Sequence, residues 1–109
     1  MKVIYNNIIP FKGFIAANLF GVLFVRNEYK DNISNSIINH EEIHTQQMKE
    51  LLYIGFYLWY IIEWFIKLIY YRNFYKAYRT ISFEREAYKH QYNMYWILCR
   101  NKFHFLQYL

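Results

Sequence analysis

HEEIHTQQMKELLYIGFYLWYIIEWFIKLIYY, residues 40–71, forms either one long rod or two helices, and the choice decides the fold. Its first five residues put His40 and His44 four apart, on one face of a helix, where they can hold a metal ion between them. Glu41, directly after the first His, is placed to take a proton from a metal-activated water. Two histidines and an acid in this pattern carry the chemistry of a zinc-dependent hydrolase. A solvated polar helix turn is the competing reading of the same five residues.

Upstream, Ser34, Ser36 and Asn39 each offer an N-cap, and Asn39 with Glu42 makes a loose capping box. A helix carrying HEEIHTQQMKELL should therefore begin between residues 34 and 39. Residues 51–71 then hold only Glu63 and Lys67 as charges, a length and composition that suit a membrane span. Two features speak against a simple span. Glu63 and Lys67 lie four apart and can pair on an exposed face. Tyr and Trp are spread through the run, whereas a membrane belt gathers them at its ends. Attachment to a membrane surface stays open, since Arg72, Lys76 and Arg79 follow directly.

A catalytic zinc takes three protein ligands and leaves one position for water. Downstream candidates for the third are Glu84, Glu86, His90 and His104. Thr80 or Ser82 can cap a helix over 82–97, with Glu84 and Glu86 in a first turn that favours acids. Glu84 is the preferred ligand. Tyr88 shares its face, and Ala87 allows a close approach to the HEEIH helix. Glu86 points away, so the two acids do not face one metal. His90 reads as a surface or tail-contacting residue and His104 as part of the tail. Gln47 lies on the His44 face, as a support for the ligand or a surface amide.

This assignment bears on the rod. A straight helix from 44 to 71 is about 40 Å long, and residues 72–83 span about 40 Å only when fully extended. One ion cannot comfortably join His44 and Glu84 across that arrangement. The helix must break and return, and Gly55, the strongest breaker in the run, predicts an end near 53–55 and a second helix folding back.

Working outward to the N-terminus, residues 2–26 read as strands. VIYNNIIPF is rich in β-branched and aromatic residues with a turn at Asn6-Asn7, and NLFGVLFVR, 18–26, reads as one strand in which Gly21 marks a bulge or a close backbone approach. Residues 27–36 are polar and turn-like. Residues 72–80, RNFYKAYRT, read as a solvated basic and aromatic loop, and RNKFHFLQYL as a tail crossing the surface, where an alternative course lies over the cleft. The fold class is α+β: a mostly helical domain over residues 1–109, with strands and loop in 1–30, two helices in 35–71, a glutamate helix in 82–97 and a tail in 98–109.

Composition bounds the function. Aromatics make up 24% of the chain and hydrophobic residues 56%, which excludes disorder. A net charge of +5 permits contact with anionic lipid or nucleic acid without demanding it. The single Cys99, read as a small half-buried hydrophobe, rules out an intrachain disulfide framework. The N-terminal residues do not read as a signal peptide, so the cytoplasm, with membrane association open, is the expected location.

HEEIH followed by FEREAY resembles the gluzincin clan of zinc metallopeptidases, and the short length is similar to its small single-domain members, the minigluzincins. The resemblance implies His40, His44 and Glu84 as ligands of Zn²⁺ and Glu41 as general base. It also implies a peptide or protein substrate, paired in extended form with a strand ahead of the active-site helix; NLFGVLFVR is the matching stretch. The departure is Tyr88, where the clan often has an Asp that orients a ligand histidine. A tyrosine there either donates to a reacting carbonyl or braces a ligand. Two rivals remain: a catalytically silent domain stapled by zinc, and a basic-aromatic binder of nucleic acid or membrane surface. No RNA-binding motif supports nucleic acid as a partner.

Overall fold

The structure is a computed structural model that describes residues 1–109. It is α+β: a three-stranded sheet at the N-terminus followed by helices. The strands are β1 (Lys2–Asn6), β2 (Ala16–Leu19) and β3 (Val22–Arg26), in the order β1-β3-β2, with β1 parallel and β2 antiparallel to β3. Asn6 ends β1, and its side-chain oxygen accepts from the backbone N–H groups of Ile8 and Ile9, the Asx turn that asparagine favours. The stretch 18–26 is a hairpin and not one strand. Phe20 and Gly21, at φ 53° and 90°, are the two left-handed residues that a two-residue hairpin requires. A Cβ on Gly21 would stand 3.3 Å from the Thr45 methyl, so the turn presses closely on the first long helix.

After a 3₁₀ turn over Asn27–Asn32, helix α1 spans Asn35–Glu50. Ser34 is its cap, its hydroxyl accepting from Ile37 N. Asn39 lies inside the helix and serves elsewhere. The run 40–71 does break and return: α2 spans Ile54–Tyr71 and turns 109° from α1. The break falls at Leu52 and Tyr53, both left-handed at φ 56° and 62°, while Gly55 lies within the first turn of α2. A 2.7 Å bond from Tyr53 N to Met48 O closes the corner, offsetting the strain of non-glycine residues at positive φ. No single helix is long and apolar enough to cross a membrane.

Residues 72–80 are not a loop. Asn73 caps α3 (Phe74–Arg79), accepting from Lys76 N. Helix α4 is Ser82–His90, shorter than expected, and α5 (Trp96–Cys99) and a 3₁₀ turn over His104–Tyr108 complete the chain. The Asn39 amide holds the exit from α4 by donating to the carbonyls of His90, Gln91 and Asn93. Glu63 does not pair with Lys67 on the surface. It is buried, accepts from Ser82 N, Ser82 Oγ and Trp59 Nε1, and so caps α4 from α2. A carboxylate is favoured at a helix N-terminus, and Ser82 needs no cap of its own. Met48, Phe56, Ile81, Phe83 and Phe105 form the core. The tail therefore inserts a ring into the core instead of crossing the surface, and Cys99 is exposed, not half-buried.

Candidate metal centre

Helix spacing brings His40 and His44 side by side on α1, and the fold-back of the chain carries α4 against them. Ala87 is fully buried in that contact. Glu84 Oε1 lies 3.1 Å from His40 Nε2 and 3.0 Å from His44 Nε2, and the two Nε2 atoms are 3.1 Å apart. All three residues are buried, and together they can hold a metal ion.

The surrounding hydrogen bonds decide what these atoms offer. Gln47 Nε2 donates to Phe83 O and Glu86 Oε1, which fixes the amide so that its Oε1 faces His44 Nδ1 at 2.8 Å. An oxygen there can only accept, so Nδ1 carries the proton of that ring. Gln91 Oε1 stands 2.8 Å from His40 Nδ1 and, so oriented, accepts from it. With both Nδ1 atoms donating, both Nε2 atoms present lone pairs to each other and to a carboxylate oxygen. Three acceptors around one point repel unless a cation sits among them. In the metal-free chain a proton plays that part. Burial alone would depress the His44 pKa, but the charge and hydrogen bond of Glu84, with the Glu41 charge and the Gln47 hydrogen bond, together outweigh it and raise it to about 9. Burial pushes Glu84 upward in turn, and His44 and His40 hold its carboxyl well below the usual range. Around a tetrahedral ion bound at 2.0–2.1 Å, neighbouring donors stand about 3.3 Å apart, close to the observed separations. The donor set therefore fits a divalent cation.

Glu84 Oε2 accepts from the Tyr60 hydroxyl at 2.7 Å, leaving Oε1 as the free donor. Burial first, and the Glu84 charge next, raise the pKa of Tyr60 and of Tyr78, so both stay protonated at neutral pH. The Tyr88 hydroxyl is bonded to that of Tyr78 at 2.6 Å, and its ring packs edge-on against His40 with centroids 4.5 Å apart. Of the two roles open to Tyr88, contact with the ligand ring is the one its geometry displays.

The Glu41 carboxylate makes no hydrogen bond within the chain, and its backbone carbonyl is held by Asn18 and Thr45. Glu41 borders two depressions. One, of about 270 Å³, is walled by Asn18, His44, Tyr60 and Glu84, and the other, of about 450 Å³, by Phe14, Ile15, His40 and Gln91. Ala16, Glu41 and Tyr78 belong to both, so a cleft runs past the cluster along β2, the sheet edge. No residue of 98–109 lines either depression.

Of the other candidates, Glu86 turns away as expected, His90 stacks on Trp96 at 3.5 Å, and His104 contacts Tyr108. Gln47 supports His44. Gln91, Tyr60 and Tyr78 escaped sequence reasoning, because nothing in an aromatic-rich run or a helix exit marks one Tyr or Gln above the others. Compared with protein-family models, curated proteins and solved structures, the chain matches none.

Proposed function

We propose that this protein is a zinc-dependent peptidase of the gluzincin type. The observation that carries the reading is the convergence of His40 Nε2, His44 Nε2 and Glu84 Oε1 beside a cleft that Glu41 enters without an intrachain partner. Three protein donors next to an open depression suit a catalytic site, whereas purely structural zinc is closed by four. That difference favours the enzyme over a silent zinc staple.

His40, His44 and Glu84 would hold the ion. Bound Zn²⁺ supplies a Lewis acid that polarises a carbonyl and acidifies water. The remaining work belongs to the chain. Gln47 and Gln91 keep the imidazoles in the tautomer that exposes Nε2. Tyr60 holds Glu84 in place. Glu41 accepts the proton of the attacking water on its carboxylate and delivers it to the leaving amine nitrogen. Tyr78, oriented by Tyr88, offers a protonated hydroxyl along the cleft for the developing oxyanion. The substrate is an extended peptide lying along β2, whose outer edge has no strand paired to it.

The test has two parts: metal content by mass spectrometry for the parent, His44→Ala and Glu84→Ala, then cleavage of a quenched-fluorescence peptide library by the parent and Glu41→Gln. Near-stoichiometric zinc lost in both ligand variants is expected. Activity should fall by roughly 10²-fold or more in Glu41→Gln with zinc retained. Equal cleavage by the parent and Glu41→Gln, or a parent that keeps no zinc, overturns the reading.

A further inference from the structure

Helix α2 is amphipathic in the wrong sense for a solvated surface. Three polar-tipped side chains in its first ten residues face the protein: Tyr57 and Tyr60 reach toward the sheet and Glu84, and Glu63 caps α4. Its outward stripe, from Ile54 to Tyr70 at steps of three and four residues, is entirely aliphatic or aromatic. Ile62, Ile66 and Ile69 are 60%, 59% and 76% exposed. Aliphatic side chains left in water in a continuous row mark a surface meant for an apolar partner. At 1.5 Å per residue the row is about 24 Å long. A depression of about 480 Å³ between Leu58, Ile62, Ile66 and Leu109 opens onto it.

The charges around the row select the partner. Between Leu51 and Phe83 the only acid is Glu63, and it is buried and bonded. Lys67, Arg72 and Lys76 lie on the same segment, and Arg72 and Lys76 are exposed at the C-terminal end of the row beside Tyr70, Phe74 and Tyr75. An apolar stripe flanked by cations and interfacial aromatics matches the boundary of an anionic bilayer, where acyl chains lie beneath negative headgroups. We infer that α2 docks this protein onto an anionic membrane surface, lying in the interface plane with its isoleucine row buried. The helix is not long and apolar enough to span, which agrees with lying flat. Phe56, Tyr57 and Tyr60 on its opposite face line the cleft, so docking leaves the cleft turned away from the lipid. The inference does not depend on peptidase activity.

Flotation of the full chain with phosphatidylcholine vesicles, with and without phosphatidylserine, tests it. Binding is expected to the phosphatidylserine vesicles and to weaken with salt. Ile62→Glu with Ile66→Glu should reduce partitioning about tenfold or more, and Arg72→Gln with Lys76→Gln several-fold. All four positions lie outside the core, and circular dichroism checks that each variant is folded. No partitioning, partitioning unchanged by the paired glutamates, or a solution dimer that those glutamates convert to monomer would overturn the inference, the last by making a second copy the occupant.

Discussion

Glu84 and Glu86 stand two residues apart on α4, both buried, and their surroundings could hardly differ more. Glu86 meets fixed donors on every side: Arg100 through Nε at 2.7 Å and Nη2 at 3.0 Å, Gln47 Nε2 at 3.0 Å and Trp96 Nε1 at 2.9 Å. Arg100 also reaches Glu50, joining α1, α4 and the chain after α5. Burial raises the Glu86 carboxyl, and Arg100, Gln47 and Trp96 together more than compensate, leaving it lowered. Glu84 receives one fixed donor, the Tyr60 hydroxyl, and otherwise faces two imidazole Nε2 atoms. One carboxylate is completed by fixed donors; the other shares a proton with the histidines or can hold a cation in its place. Gln47 ties them together, accepting from His44 and donating to Glu86.

If Glu86 is structural, removing its cation must harm the fold and not the metal site. Arg100→Met leaves two acids facing a buried gap, and breaking such a pair from one side costs about 3–5 kcal/mol. Thermal or urea unfolding should record a loss of that size, with the zinc content of the folded fraction unchanged. Loss of zinc without loss of stability would dissolve the distinction between the two acids.

The converse applies to Glu84. Zinc at 100 to 1,000 times its Kd should stabilise the chain by about 2.7–4.1 kcal/mol, read as a rise in Tm of roughly 10 °C or more. His44→Ala and Glu84→Ala should abolish that rise. An equal rise in the variants would place the metal elsewhere.

The proton that stands in for the metal gives the two states different pH responses. His44 has a folded pKa of about 9 against 6.5 for the free group. A raised folded value means that the stabilisation is complete below pH 6.5 and disappears as pH rises through 9. Metal-free protein should therefore lose a few kcal/mol of stability across pH 6.5–9, while zinc-loaded protein, its Nε2 occupied, should not. Parallel unfolding curves for the two forms across this window would show that His44 holds no such proton.

What sequence reasoning reached and missed follows from the same contrast. His40 and His44 were legible because their relation is local, four residues apart on one helix face. Glu84 was legible through Ala87 and the need for α4 to approach α1, and the fold-back through the length of the run 44–71. The corner itself was not, because Leu52 and Tyr53 adopt left-handed angles that their residue types disfavour, held there by contacts that no local pattern announces. Glu63 and Lys67 obeyed the four-residue rule on paper and lost to Ser82, whose N–H and hydroxyl together offer Glu63 more than an exposed pair would. Partners contributed from 19 or more residues away, such as Ser82 for Glu63 and Gln91 for His40, leave no trace in spacing.

Gln91 offers the finest separation of the two acids. Gln47 serves both, so altering it disturbs both. The Gln91 side chain bonds to His40 Nδ1 alone, and the residue is only half-buried. Gln91→Ala removes the acceptor that keeps the His40 proton on Nδ1, and water can fill the gap, so the fold should lose little. Metal affinity should fall, because a ligand imidazole without its outer partner is less basic and free to turn; such losses run about 10- to 100-fold. Competition with a chelator of known affinity measures this directly, and the Arg100–Glu86 pair, untouched by the change, should keep the unfolding midpoint of the metal-free chain within about 0.5 kcal/mol of the parent. An affinity equal to the parent's would mean that the imidazole is held by Tyr88 packing alone. The ring contact at 4.5 Å would then be the brace that holds His40.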